Sequence, residues 1–156
     1  MNKFRLGISI ILPLLAGLIG SFFVMPVIDL WYKELAKPSF NPPDWIFGPV
    51  WTFLYILMGI ALYFVWQSDT EKKKKKIAIT FFAIQLGLNS LWSILFFGLR
   101  RPEAALIEIF ILWLAILINL ILFRKIKKFA GWLLLPYIIW VSFAAVLNFS
   151  IWQLNY

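Results

Sequence analysis

Five apolar stretches, each long enough to cross a bilayer as a helix, take up nearly all of this chain: Leu6 to Val24, Trp45 to Trp66, Ile77 to Phe97, Ala104 to Phe123 and Trp132 to Trp152. A helix rises 1.5 Å per residue, so about 20 mostly apolar residues reach across the hydrocarbon core. Inside lipid the backbone must satisfy its own hydrogen bonds, which segments of this length do as helices. The pattern predicts an all-α membrane protein: one domain over residues 1–156, a five-transmembrane-helix bundle with a structured loop between helices 1 and 2. With 63% hydrophobic and 14% charged residues, the chain is too apolar for a soluble domain of its length. Lys3 and Arg5 before an apolar run resemble a secretory signal. That run is longer than a signal core, however, and Ser21 to Pro26 has no small-x-small cleavage pattern, so a retained first helix is expected.

The formal charge of +8 would suggest nucleic acid in a soluble protein. Here the bases fall in the links between spans, where they set topology, and no nucleic-acid partner is expected. Alternate links place eleven bases on one side (Lys3, Arg5, Lys72 to Lys76, Arg124, Lys125, Lys127, Lys128) and four on the other (Lys33, Lys37, Arg100, Arg101). By the positive-inside rule the N-terminus is cytoplasmic and the C-terminus outside. The lysine run reads as a topology anchor in contact with anionic lipid. There are no cysteines or histidines, which removes disulfides, thiolate chemistry and the commonest metal ligands. No metal site is expected, and no cofactor is required.

Val27 to Pro43 is a long link holding Trp31, Tyr32, Phe40 and prolines at 38, 42 and 43, which fix φ and stiffen it. It is expected to fold as a cap over one mouth of the bundle, with Pro43 and Asp44 opening the second helix. In the first span Ala16 with Gly20, and Gly17 with Ser21, form small-xxx-small pairs suited to close packing inside the bundle.

Gln85, Asn89, Trp92 and Phe96 recur at steps of four, three and four, which stacks them on one helical face. Unsatisfied amides are costly in hydrocarbon, so that face must look inward. The fifth span repeats the pattern with Tyr137, Trp140 or Val141, Ala144, Asn148 and Ile151. The second offers Phe47, Trp51, Tyr55 and Gly59. Two readings stand side by side: a cavity for a large, flat, mostly apolar molecule oriented by a few amides, or interhelical hydrogen bonding and interfacial tryptophan without a ligand. Glu103 suits the first turn of the fourth span. Glu108 lies about 7 Å deeper and is expected to snorkel or pair with Arg100 or Arg101, the alternative being a polar network or proton path. No nucleophile with a base, carboxylate pair or phosphate loop is visible, which excludes a conventional hydrolase or kinase.

The segments WYKELAKPSFNPPDWIFGPVW (31–51), QLGLNSLWSILFFG (85–98) and PYIIWVSFAAVLNFSIW (136–152) resemble the signature segments of the TspO family, also called the translocator protein or peripheral-type benzodiazepine receptor family. The resemblance covers all five spans and implies a bundle, usually a homodimer, whose first loop closes a pocket for protoporphyrin and related tetrapyrroles and for isoquinoline carboxamide or benzodiazepine-type drugs. It implies Tyr32, Pro42, Trp51, Asn89, Trp92, Trp140, Phe143, Ala144 and Leu147 as ligand-binding residues. It also marks Trp51 and Trp140 as the tryptophans of light- and oxygen-dependent porphyrin breakdown. Animal relatives end in a sterol pattern of the form L/V-x-Y-x-K/R; Phe149 and Gln153 stand where its tyrosine and base would be, which argues against cholesterol recognition there. The same loose pattern occurs at Leu30, Tyr32 and Lys37. The function so implied is a membrane receptor that senses, sequesters or disposes of porphyrins, with Lys37 available to propionates. The alternatives are a porphyrin-degrading enzyme or a small-molecule transporter.

Overall fold

The computed structural model describes residues 2–156. Its helices are α1 (Lys3–Val24), α2 (Trp31–Glu34), α3 (Asp44–Gln67), α4 (Lys72–Ser93), α5 (Pro102–Ile126), α6 (Lys128–Leu133) and α7 (Leu135–Asn155), with a π-helical turn over Ile94–Gly98 extending α4. Five helical segments are long and apolar enough to cross a membrane: α1, α3, α4 with its π turn, α5, and α6 with α7. They correspond to the five stretches read from the sequence, and the chain is an integral membrane protein.

Local chemistry explains where these helices begin and end. The Asn2 side chain accepts a hydrogen bond from the Arg5 amide at 3.2 Å, capping α1. Asp44 follows Pro43 into the first turn of α3. Pro102 and Glu103 open α5, and Arg124 and Lys125 close it, so both of its ends suit the helix dipole. The last span differs from the single helix expected over Trp132 to Trp152. It starts earlier, at Lys128, and breaks at Leu134, because Pro136 has no N–H to continue the hydrogen-bond ladder. The Leu134 amide turns back to the Gly131 carbonyl at 3.1 Å instead.

The small residues of α1 serve packing inside the bundle. A Cβ on Gly17 would collide with the Tyr55 ring, and one on Gly20 would lie 3.0 Å from the Ser93 hydroxyl. Gly59 of α3 returns the favour, since a Cβ there would come within 2.6 Å of the Ile10 backbone. The Ser90 hydroxyl donates to the Ala16 carbonyl at 2.9 Å, fixing α4 against α1. The main core fills the half of the bundle toward the lysine-rich link, around Met58, Val65, Phe82, Leu112, Ile116 and Phe123. A smaller core of Val27, Tyr32, Phe96, Phe97, Leu147 and Ile151 seals the opposite end beneath the first loop. Between the two lies open space bounded by α1, α3, α4 and α7.

Glu108 departs from expectation. It is buried, and neither carboxylate oxygen meets a hydrogen-bond partner among the described residues. Arg101 instead pairs with Glu103 at 3.2 Å. The reason is geometric: residue 108 falls on the same face of α5 as Ala105 and Leu112, both fully packed, whereas Glu103 stands at the exposed helix start.

Candidate functional site

The open space is a cavity of about 550 Å³ in the half of the bundle under the first loop, a size typical of small-molecule sites. Its flat walls are indoles: Trp51 from α3, Trp92 from α4 and Trp140 from α7. Trp51 stacks on Tyr55 with centroids 5.6 Å apart, and Trp92 stacks on Phe96 at 5.2 Å. Phe47 meets Trp140 edge-on at 6.0 Å. Ala144 and Leu147 supply the α7 wall, and exposed residues of α1 (Leu18, Ser21), Met25 just beyond it, and α3 (Trp45, Gly48, Thr52) edge the opening.

The amides in this wall are already partnered. Asn89 accepts from the Tyr55 hydroxyl at 2.6 Å and donates to the Tyr137 hydroxyl at 3.1 Å, tying α3, α4 and α7 together. Asn148 accepts from the Trp92 indole N–H at 3.1 Å and donates to the Pro102 carbonyl at 2.9 Å, which holds that ring in place. The amides join helices and, in doing so, orient the rings that line the cavity. The Trp140 indole N–H is different. It is buried and meets no acceptor among the described residues.

The first loop folds as a cap. Tyr32 is buried, its ring 5.5 Å from Phe97 and 6.3 Å from Phe96, and its hydroxyl donates to Asn41 at 3.2 Å. Burial, with the Asp44 charge adding to it, pushes the Tyr32 hydroxyl up to about 12, so it stays a neutral donor. Lys37 lies 4.6 Å above the Tyr32 ring and donates to loop carbonyls; it stiffens the loop and is not part of the cavity wall. The far edge of the loop is clasped by Asn155, whose side chain accepts from the Ala36 amide and donates to the Ala36 carbonyl, both at 2.9 Å.

Of the nine residues marked by family resemblance, Tyr32, Trp51, Asn89, Trp92, Trp140, Ala144 and Leu147 line this one cavity. Pro42 and Phe143 stand behind it: Pro42 accepts from the Asn41 amide at 2.9 Å, and Phe143 packs between Trp140 and Phe40. From the polar stripes, Asn148 and Ile151 also reach the wall. Gln85 lies deeper, buried with its amide nitrogen 3.8 Å from the Met58 sulfur. Sequence reasoning missed the whole α1 wall, including Leu14, Gly17 and Ser21. The small-residue pattern was its one visible sign.

The sequence matches a known family across nearly the whole chain. Residues 9–153 match the TspO/MBR family. The chain belongs to it. It is 46% identical to the tryptophan-rich protein TspO of Chlorobaculum tepidum over 157 residues, covering 99% of both chains. It is equally similar, at 46% over 155 residues and 99% of both chains, to the protein of that name from Archaeoglobus fulgidus. The human translocator protein is 34% identical over 145 residues, or 92% of this chain and 86% of the human one.

Proposed function

We propose that this member of the TspO/MBR family is a membrane receptor for protoporphyrin or a related tetrapyrrole, which it senses, sequesters or hands on for disposal. The observation that carries this reading is the 550 Å³ cavity walled by three indoles and capped at one end by an aromatic loop. Flat rings give a macrocycle broad contact at little entropic cost. The same cavity takes isoquinoline carboxamide and benzodiazepine-type drugs, which share a flat aromatic body and one carbonyl. The family resemblance extends the reading to a homodimer, and the eleven-to-four division of bases to a cytoplasmic N-terminus and an outside C-terminus.

The test is to load the cavity wall. Ala144 is nearly buried, one turn from Trp140 and Asn148, so Ala144→Leu puts extra carbon where a ligand would lie. The variant is expected to fold and to bind protoporphyrin more weakly by about 1–3 kcal/mol, read by fluorescence titration. Unchanged affinity in a folded variant refutes the reading.

One arrangement favours a second reading, a porphyrin-degrading enzyme. Trp51 lies against both Tyr55, at 5.6 Å, and Tyr137, at 6.2 Å, so an oxidised indole at the cavity wall would have electron-rich rings beside it. In that reading molecular oxygen is the oxidant, light excites the bound porphyrin, and Trp51 and Trp140 are the catalytic residues.

A further inference from the structure

A second concavity lies at the opposite end of the bundle, outside the wall of the ligand cavity. It is a groove of about 720 Å³ between the end of α3 and the start of α4, lined by Trp66, Lys72, Lys75, Lys76, Ile79, Thr80, Ala83 and Ile84. Its two ends differ in chemistry. The outer end is cationic and the inner end, one to three turns deeper along α4, is aliphatic. Positions 72, 76, 79 and 83 recur at steps of four, three and four, so they form one continuous stripe.

The cations of the stripe lack internal counter-charges. Of the five lysines from 72 to 76, Lys74 alone pairs with a carboxylate among the described residues, Glu71 at 3.3 Å. Lys74 does not line the groove. Lys75 is spent on structure, donating to the Trp66 and Ser68 carbonyls. Lys72 and Lys76 are exposed and enter no ion pair among the described residues. Arg5 adds a further positive charge, its guanidinium 5.5 Å from the Trp66 ring centroid. The one acid at the start of α4, the N-cap Glu71, is paired with Lys74 outside the groove, and the first turn adds no other, so the positive end of the helix dipole lies on the same side as the lysines.

We propose that this groove is a binding site for one anionic phospholipid of the leaflet facing the lysine-rich link. The phosphate sits between Lys72 and Lys76, with the Thr80 hydroxyl as a further donor, and one acyl chain runs along Ile79, Ala83 and Ile84. Charge complementarity selects an anion, and the apolar stripe that continues beneath the lysines selects an anion attached to a hydrocarbon chain. Trp66 stands at the level where an indole meets headgroups. A basic pocket between spanning helices is a recurring headgroup site, and each lysine near the surface contributes on the order of a few-fold in affinity.

The test separates a shaped site from general attraction to a basic loop. Purified full-length protein is titrated with dioleoyl phosphatidylglycerol and, separately, with dioleoyl phosphatidylcholine, and retained lipid is counted by native mass spectrometry. One tightly retained phosphatidylglycerol per chain is expected, with the zwitterionic lipid held at least tenfold more weakly. Lys72→Gln with Lys76→Gln should weaken the first phosphatidylglycerol roughly tenfold or more. Lys73→Gln with Lys74→Gln removes the same charge outside the groove and should leave it within about twofold. Ala83→Trp keeps every charge, fills the floor at an exposed position and should also expel the lipid. Equal retention of the two lipids, equal losses from the two lysine pairs, or no effect of Ala83→Trp would overturn the proposal.

Discussion

Asn155 is the residue through which the last helix holds the cap. Its amide exchanges two hydrogen bonds with Ala36, 119 positions earlier, at 2.9 Å each. A typical hydrogen bond contributes about 0.5–1.5 kcal/mol net, and these are exposed, so Asn155→Ala should cost the docked state of this segment about 1–2 kcal/mol. That corresponds to a roughly five- to thirtyfold larger open population. Tyr32 and Val27 remain buried in the small core, so the loop should loosen at residues 35–37 without leaving the bundle. Two measurements follow. Hydrogen exchange at the Ala36 amide should speed up by that factor, and release of bound protoporphyrin in stopped flow should accelerate with little change in the association rate. Asn155→Asp keeps an acceptor for the Ala36 N–H and loses the donor, so it should fall between. Exchange at Ala36 as slow in Asn155→Ala as in the parent would refute the clasp.

The other expectations concern the wall and the orientation. Trp51→Phe and Trp140→Phe each keep an aromatic face but lose the indole N–H and its easily oxidised ring. Each should retain most porphyrin affinity and, if the enzyme reading holds, bleach porphyrin far more slowly under light and oxygen; parent-rate bleaching in both variants would remove that reading. The chain has no cysteine, so single introduced thiols report topology. Asp69→Cys should be labelled only from the cytoplasmic side and Ser39→Cys only from outside, and the reverse pattern would reject the orientation.

Much of the fold was legible because hydropathy over about 20 residues reports on the solvent around a helix. The polar stripes were legible for a related reason: Asn89 and Asn148 could not face lipid, and so marked the inward side of α4 and α7. Other features left no such trace. The α1 wall is built from Leu14, Gly17, Leu18 and Ser21, residue types equally at home against lipid or a neighbouring helix. Gly17 does both jobs, admitting the Tyr55 ring and bounding the cavity. The Asn155 clasp joins opposite ends of the chain and has no local periodicity. Glu108 went astray because distance from the helix end suggested an escape to the interface, whereas its helical face was decided by Ala105 and Leu112. Gln85 shares the stripe of Asn89 yet sits below the cavity, because a stripe specifies direction and not depth.

The central claim is that a flat tetrapyrrole occupies the space between Trp51, Trp92 and Trp140. A protoporphyrin carrying a photoactivated carbene precursor, bound at one equivalent, irradiated and mapped by peptide mass spectrometry, locates it directly. Adducts are expected on α3 near Trp51, on α4 near Trp92 and on α7 between Trp140 and Leu147, and should disappear with excess unlabelled protoporphyrin. Labelling confined to the exposed apolar face of α5 at Ile107, Phe110 and Ile111 would contradict the claim.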